Sequence, residues 1–199
     1  MNRIVGLALV ALVTLVLVPA PALAHTGLDD LGGFASGFMH PILGGDHLLA
    51  MLAVGIWGAQ LGAPAIWTLP IAFPVIMAMG GLLGVVGVPL VGTELLIALS
   101  VVVLGAMIRW SARPMLPIAI ALVSVFGLFH GYAHGLEMPE AVSPVGYGVG
   151  FVIATGMIHG LGILIGSVIS RPWGPVALRE TGTAISVVGI VLLTGMVIE

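Results

Sequence analysis

Cysteine is absent from the 199 residues. Disulfides, thiolate metal sites and thiol nucleophiles are therefore excluded together. Charge is scarce as well: only 7% of the chain is charged, with five basic and eight acidic residues. With no basic patch to neutralise phosphates, nucleic acid is not an expected partner. No glycine-rich loop ends in Lys and Ser/Thr, so the chain does not hydrolyse ATP by that route. His-Glu-x-x-His and Gly-x-Ser-x-Gly are also missing, which weighs against a metallohydrolase or a serine hydrolase.

What is present is apolar. Sixty per cent of the residues are hydrophobic, too many for a water-soluble domain to cover with its few polar groups. The chain reads as an integral membrane protein. Apolar segments fall at 31–61, 65–88, 93–110, 115–136, 145–170 and 176–198. Each is long enough to cross roughly 30 Å of hydrocarbon as a helix. Short connections marked by Pro or Gly join them, so the expected fold is all-α, one compact bundle of six transmembrane helices.

Residues 1–24 carry Arg3, an apolar run, Pro19, Pro21 and the small-residue triplet Ala22-Leu23-Ala24. Those are the three parts of a secretory signal peptide, and cleavage would leave a permease domain of 25–199 beginning at His25; the alternative is an uncleaved first helix. Arg109 and Arg113 flank one loop, Arg171 and Arg179 another. Both loops are expected on the cytoplasmic side, which places the mature N-terminus and Glu199 outside. Asp29, Asp30, Glu94, Glu137 and Glu140 then gather at the outer ends, an acidic mouth that attracts cations.

Two stretches carry chemistry. Phe129-His130-Gly131-Tyr132-Ala133-His134-Gly135-Leu136-Glu137 places His130, His134 and Glu137 one turn apart on one helical face. Gly127, Gly131 and Gly135 form a ladder offset by one position, which admits a neighbouring helix. The second stretch is His40-Pro41-Ile42-Leu43-Gly44-Gly45-Asp46-His47. Its proline and paired glycines predict a broken helix facing a cavity or ion site. His40 and His47 share a face there, with Asp46 as a further ligand or as the acceptor orienting the His47 ring. The plainer alternatives are an inert, hydrogen-bonded histidine pair at a packed crossing for the first stretch and a kinked helix with an internal Asp-His hydrogen bond for the second.

Four imidazoles and two carboxylates suit Ni(II), Co(II) or, less well, Zn(II), and suit Ca(II) poorly. The metal is read as cargo, and no prosthetic group is expected. His159 is a fifth imidazole, set at mid-helix between Gly156 and Gly160, glycines expected to permit close packing around it, and is either a further ligand or a core histidine. Glu94 is either a ligand or a helix-start carboxylate. A freed His25 would offer its amine and imidazole as one chelate, beside Asp29 and Asp30, for capture of an incoming ion.

These motifs resemble the two signatures of the HupE/UreJ family of nickel and cobalt permeases. The resemblance covers the whole chain: a signal-like start, six helices, the first motif in the first mature helix and the second in the fourth. It implies uptake of Ni(II) or Co(II) across a bacterial inner membrane for metalloenzymes such as hydrogenase and urease. It carries over to His40, Asp46, His47, His130, His134 and Glu137, and less securely to Glu94. The lipid bilayer and the metal are the partners expected of the chain, and a homo-oligomer is compatible with it. An intramembrane zinc-dependent hydrolase and a metal-sensing or accessory membrane subunit are the competing readings.

Overall fold

The computed structural model describes residues 32–138 and 143–198. The expected signal peptide, His25, Asp29, Asp30 and Glu140 lie outside these residues. Within them the order is α1 (Gly32–Leu43), α2 (Gly45–Leu61), α3 (Ala65–Val85), α4 (Thr93–Arg109), α5 (Leu116–Leu136), α6 (Pro144–Gly166), a 3-10 turn (Ser167–Ser170) and α7 (Gly174–Ile198). No strand occurs among the described residues.

Local chemistry accounts for the ends of these helices. Ser143 caps α6, its hydroxyl accepting the Gly146 N–H at 3.3 Å, and Pro144 occupies the first turn, where no N–H is needed. Gly62, at φ 79°, closes α2 in a conformation disfavoured for residues with a Cβ. Pro70 and Pro74 lie inside α3 without ending it.

The predicted break in the first segment is present. α1 and α2 meet at Gly44 with a bend of 79°. Across it the chain keeps the Gly44 N–H to His40 carbonyl bond (3.1 Å) and the Leu48 N–H to Gly44 carbonyl bond (2.8 Å). Pro41 is accommodated inside α1, so the glycine marks the discontinuity.

Helices pack in pairs, and glycine sets the closeness of each. A Cβ on Gly127 would stand 2.8 Å from the Phe73 carbonyl oxygen; one on Gly131 would run into the Met77 carbonyl, and one on Gly135 into that of Gly81. Gly80 and Gly84 of α3 answer against Leu128 and Tyr132 of α5. The ladder read from the sequence thus joins α5 to α3. Gly55, Gly162 and Gly166 play the same part between α2 and α6, and Gly105 and Gly182 between α4 and α7. Gly156 and Gly160, expected to permit close packing around His159, meet nothing within 4 Å. The correction follows from rotation: α6 turns that flank outward while Gly150, Gly162 and Gly166 face its neighbours.

Outward faces are apolar. On α3, Trp67, Ile71, Val75, Met79 and Leu82 are exposed at three- and four-residue spacing, a stripe that hydrocarbon would cover. α3, α5, α6 with its 3-10 turn, and α7 are each long and apolar enough to cross a membrane, and the bent α1–α2 pair makes a fifth crossing if counted as one span. The expected sixth, α4, has 17 residues, or about 25 Å at 1.5 Å per residue.

One end of the bundle collects the arginines. Gly182 of α7 abuts the Arg109 backbone, and Arg113 donates to the Gln60 carbonyl at 3.3 Å. Asp46, Glu94 and Glu137 belong to the other end, near the starts of α2 and α4 and the finish of α5.

Candidate metal centre

The site forms where α5 faces the α1–α2 break. His130 and His134 project from the last turns of α5, and Glu137 is its C-cap. His40 comes from the last turn of α1 and His47 from the first turn of α2. The break therefore lets two residues of one segment approach α5 from different directions.

The imidazoles form a contiguous group. The His134 ring centroid lies 4.2 Å from that of His47 and 4.7 Å from that of His40. His47 and His130 are 4.9 Å apart. His40 Nε2 is 3.0 Å from Glu137 Oε2, and His134 Nδ1 is 4.0 Å from that same oxygen. One donor atom each from His40, His134 and Glu137 fits within a mutual separation of 4.8 Å, a spacing that a single cation could draw together.

Two of these rings have a fixed tautomer. His47 Nδ1 donates to Asp46 Oδ1 at 2.6 Å, and the same oxygen accepts the His47 backbone N–H at 2.8 Å. His130 Nδ1 donates to the Phe126 carbonyl at 2.8 Å. Since carboxylate and carbonyl can only accept, each Nδ1 holds a proton, and in the neutral ring each Nε2 keeps its lone pair. Both Nε2 atoms are buried without a partner, as are both ring nitrogens of His134. A buried polar atom left unpaired costs about 1–3 kcal/mol. On His47 and His130, whose other nitrogen is held by an acceptor, such atoms match the pattern of ligating histidines with second-shell acceptors. In this geometry Asp46 holds the His47 ring, as one of the two parts foreseen for it would require.

Burial grades across the group. His130 and His134 are 0% and 4% exposed, whereas the Glu137 side chain is 51% exposed and that of His40 26%. An ion arriving from the carboxylate end would meet Glu137 and His40 first. Beside His134 lies a cavity of about 250 Å³, bounded by Met77 and Gly81 of α3, Gly131 and Gly135 of α5, and Tyr147 and Phe151 of α6.

Other predicted ligands are not in this group. Glu94 is exposed at the start of α4, close enough to Asp46, His47 and Glu137 for their charges to interact but without a hydrogen bond to any of them. His159 is 1% exposed and is separated from His130 by the Phe73 ring, whose centroid lies 5.5 Å from each. It is therefore not part of this group. Sequence reasoning missed the aromatic wall: Phe151 packs 4.2 Å from His134, and Tyr147 lies 5.8 Å from His40. Their signal was the four-residue spacing of Tyr147, Phe151, Thr155 and His159, all buried on α6.

Fold and site define a class: a helical protein with several helices fit to cross a membrane and a cluster of histidine and carboxylate side chains between them. Within that class the chain belongs to the family described as HupE / UreJ protein, which it matches over residues 13–192. It is similar to "Protein HupE" of Rhizobium leguminosarum bv. viciae, 42% identical over 178 residues that cover 89% of this chain and 93% of that one. No solved structure matches.

Proposed function

We propose that this chain is a secondary permease that takes up Ni(II) or Co(II), with Zn(II) a poorer substrate. His40, His47, His130, His134 and Glu137 would be the transient ligands, Asp46 would orient His47, and Glu94 would draw ions to the mouth. The observation that carries the reading is the set of buried, partnerless imidazole nitrogens on adjacent rings of α2 and α5, beside the His40–Glu137 pair. Nitrogen and carboxylate donors suit borderline divalent cations. Donors distributed over several rings favour passage over storage, because conduction needs binding strong enough to admit an ion and weak enough to release it.

Orientation follows the arginines, with their end cytoplasmic and the carboxylate end outside, as expected for a multi-pass protein of the bacterial inner membrane. An inward-moving divalent ion then gains about 4.6 kcal/mol per 100 mV of potential, negative inside. That sustains an accumulation of about 10³-fold without ATP. A cleaved signal peptide would leave His25 as a capture ligand before the mouth. Supply of metal to a hydrogenase or urease is the role that membership of the family suggests.

The test is metal uptake by the full chain in proteoliposomes, with Ni(II), Co(II) and Zn(II) in competition. His47→Ala and His130→Ala should each lower uptake about tenfold or more, the loss expected when a metal's ligand shell is disturbed, while the protein stays in the membrane. Undiminished uptake by both variants would overturn the assignment.

A further inference from the structure

Beyond the outer cluster, one buried polar pair has no assigned part. Thr155 and His159 are 0% and 1% exposed; the Thr155 Oγ1 lacks a hydrogen-bond partner, and neither His159 ring nitrogen has one of good geometry, the Pro70 carbonyl standing near the ring. That departs from the habit of this molecule. Thr68, Thr181, Thr183 and Thr194 each donate to a backbone carbonyl three or four residues back in the chain, the usual refuge of a helical hydroxyl in an apolar setting. Thr155 is deeper than any of these and forgoes that bond.

The pair also has a definite position. Separated by one turn, the two side chains share a face with Cβ atoms about 5–6 Å apart. His159 follows Phe151, which packs on His134, by about 12 Å along α6 toward the arginine end. The Phe73 ring stands between His130 and His159. From the carboxylate end inward the order is Glu137 with His40, His134 with His47, His130, the Phe73 ring, then His159.

We propose that Thr155 and His159 form a second, inner stop for the same divalent cation, on the arginine side of Phe73. The imidazole supplies one nitrogen and the hydroxyl one oxygen, with water completing the shell. Two protein donors bind weakly, which suits release. This inner stop rests on the permease reading.

A structural role competes with it, and the fold shows what that role would be. Pro74 has no N–H to give the Pro70 carbonyl one turn back, and that carbonyl faces the His159 ring. If His159 served only this carbonyl, Pro74→Ala would restore the missing donor and make the imidazole dispensable.

The experiment uses full-length protein in proteoliposomes for uptake and in nanodiscs for equilibrium Ni(II) binding. His159→Ala should slow uptake about tenfold, by analogy with other disturbed metal shells, while leaving equilibrium Ni(II) affinity at the outer cluster unchanged; His47→Ala should lower both. The double variant His159→Ala/Pro74→Ala should remain slow. Thr155→Val, close in volume and without the hydroxyl, should also slow uptake and serves should the His159 variants fail to insert. Recovery of wild-type uptake in the double variant would overturn the inner stop, as would unchanged uptake in His159→Ala or, if those variants fail, in Thr155→Val. Wild-type protein that transports neither Ni(II) nor Co(II) would bring down the permease reading and this one with it.

Discussion

Helix α5 has two very different neighbours. Toward α3 it presents Gly127, Gly131 and Gly135, and backbone lies against backbone. Toward α6 it presents His134 and a cavity of about 250 Å³, lined by the side chains of Tyr147 and Phe151. Close-packed backbones have no small adjustments open to them, because interiors are filled to crystal-like density. A contact made by rings across a cavity has several. His130 and His134 therefore ride on a rigid pair, α3 with α5, and His134 faces a partner surface that has room to move. Keeping ligand geometry on one side and freedom on the other is a workable division for a site that must bind and let go.

The strongest way to break this contrast is to add bulk on the fastened side. Gly131→Leu should cost more than the usual 1–3 kcal/mol of an overpacked core, because the side chain meets the Met77 backbone, which has no rotamer to change. The expected outcome is loss of folded protein, read by size-exclusion profile and thermal melting in detergent. An intact, wild-type melting profile would show that α3 and α5 are not locked as described.

A smaller effect sharpens the other side. Asp46→Asn keeps the shape of the residue that orients His47 but weakens its acceptor. Metal affinity should fall about 10–100-fold, as for other outer-shell changes, with melting little altered. Calorimetric titration with Ni(II) checks it. The smallest effect belongs to Gly160→Ala, where a Cβ meets nothing within 4 Å. It should leave uptake unchanged and raise stability by about 0.5–1 kcal/mol, the ordinary gain for alanine over glycine in a helix. One residue type thus spans the whole range of outcomes, decided by which way it faces.

Much of this was legible in the chain. Glycines every fourth residue beside histidines every fourth residue state that one flank of α5 is to be approached closely and the next carries donors. Pro41 followed by Gly44 and Gly45 announced the break. What could not be read was anything set by the rotation of one helix against another. That α3 answers the ladder, that Phe73 screens His159, and that Tyr147 and Phe151 wall the site depend on tertiary packing. The role of Asp46 turned on ring geometry, which spacing leaves open. The count of crossings was equally beyond composition, since an apolar run specifies neither a bend of 79° nor a helix as short as α4.

The far end of α2 has a mechanical meaning. Trp57 Nε1 donates to the Ala112 carbonyl at 3.0 Å, Gln60 Nε2 to the Ile108 carbonyl at 3.2 Å, and Arg113 returns a bond to the Gln60 carbonyl. Together these bonds clasp α2 to the last turn of α4 and the loop that follows it. The opposite end of α2 is the break at Gly44, where the chain is least continuous. A rod clasped at one end and jointed at the other is a lever: with α6 carried along through the Gly55 contact, any tilt of α2 pivots at the clasp, and displacement grows along its length of about 25 Å. His47 sits at the tip, so the largest excursion available to α2 falls on a ring that touches both His130 and His134.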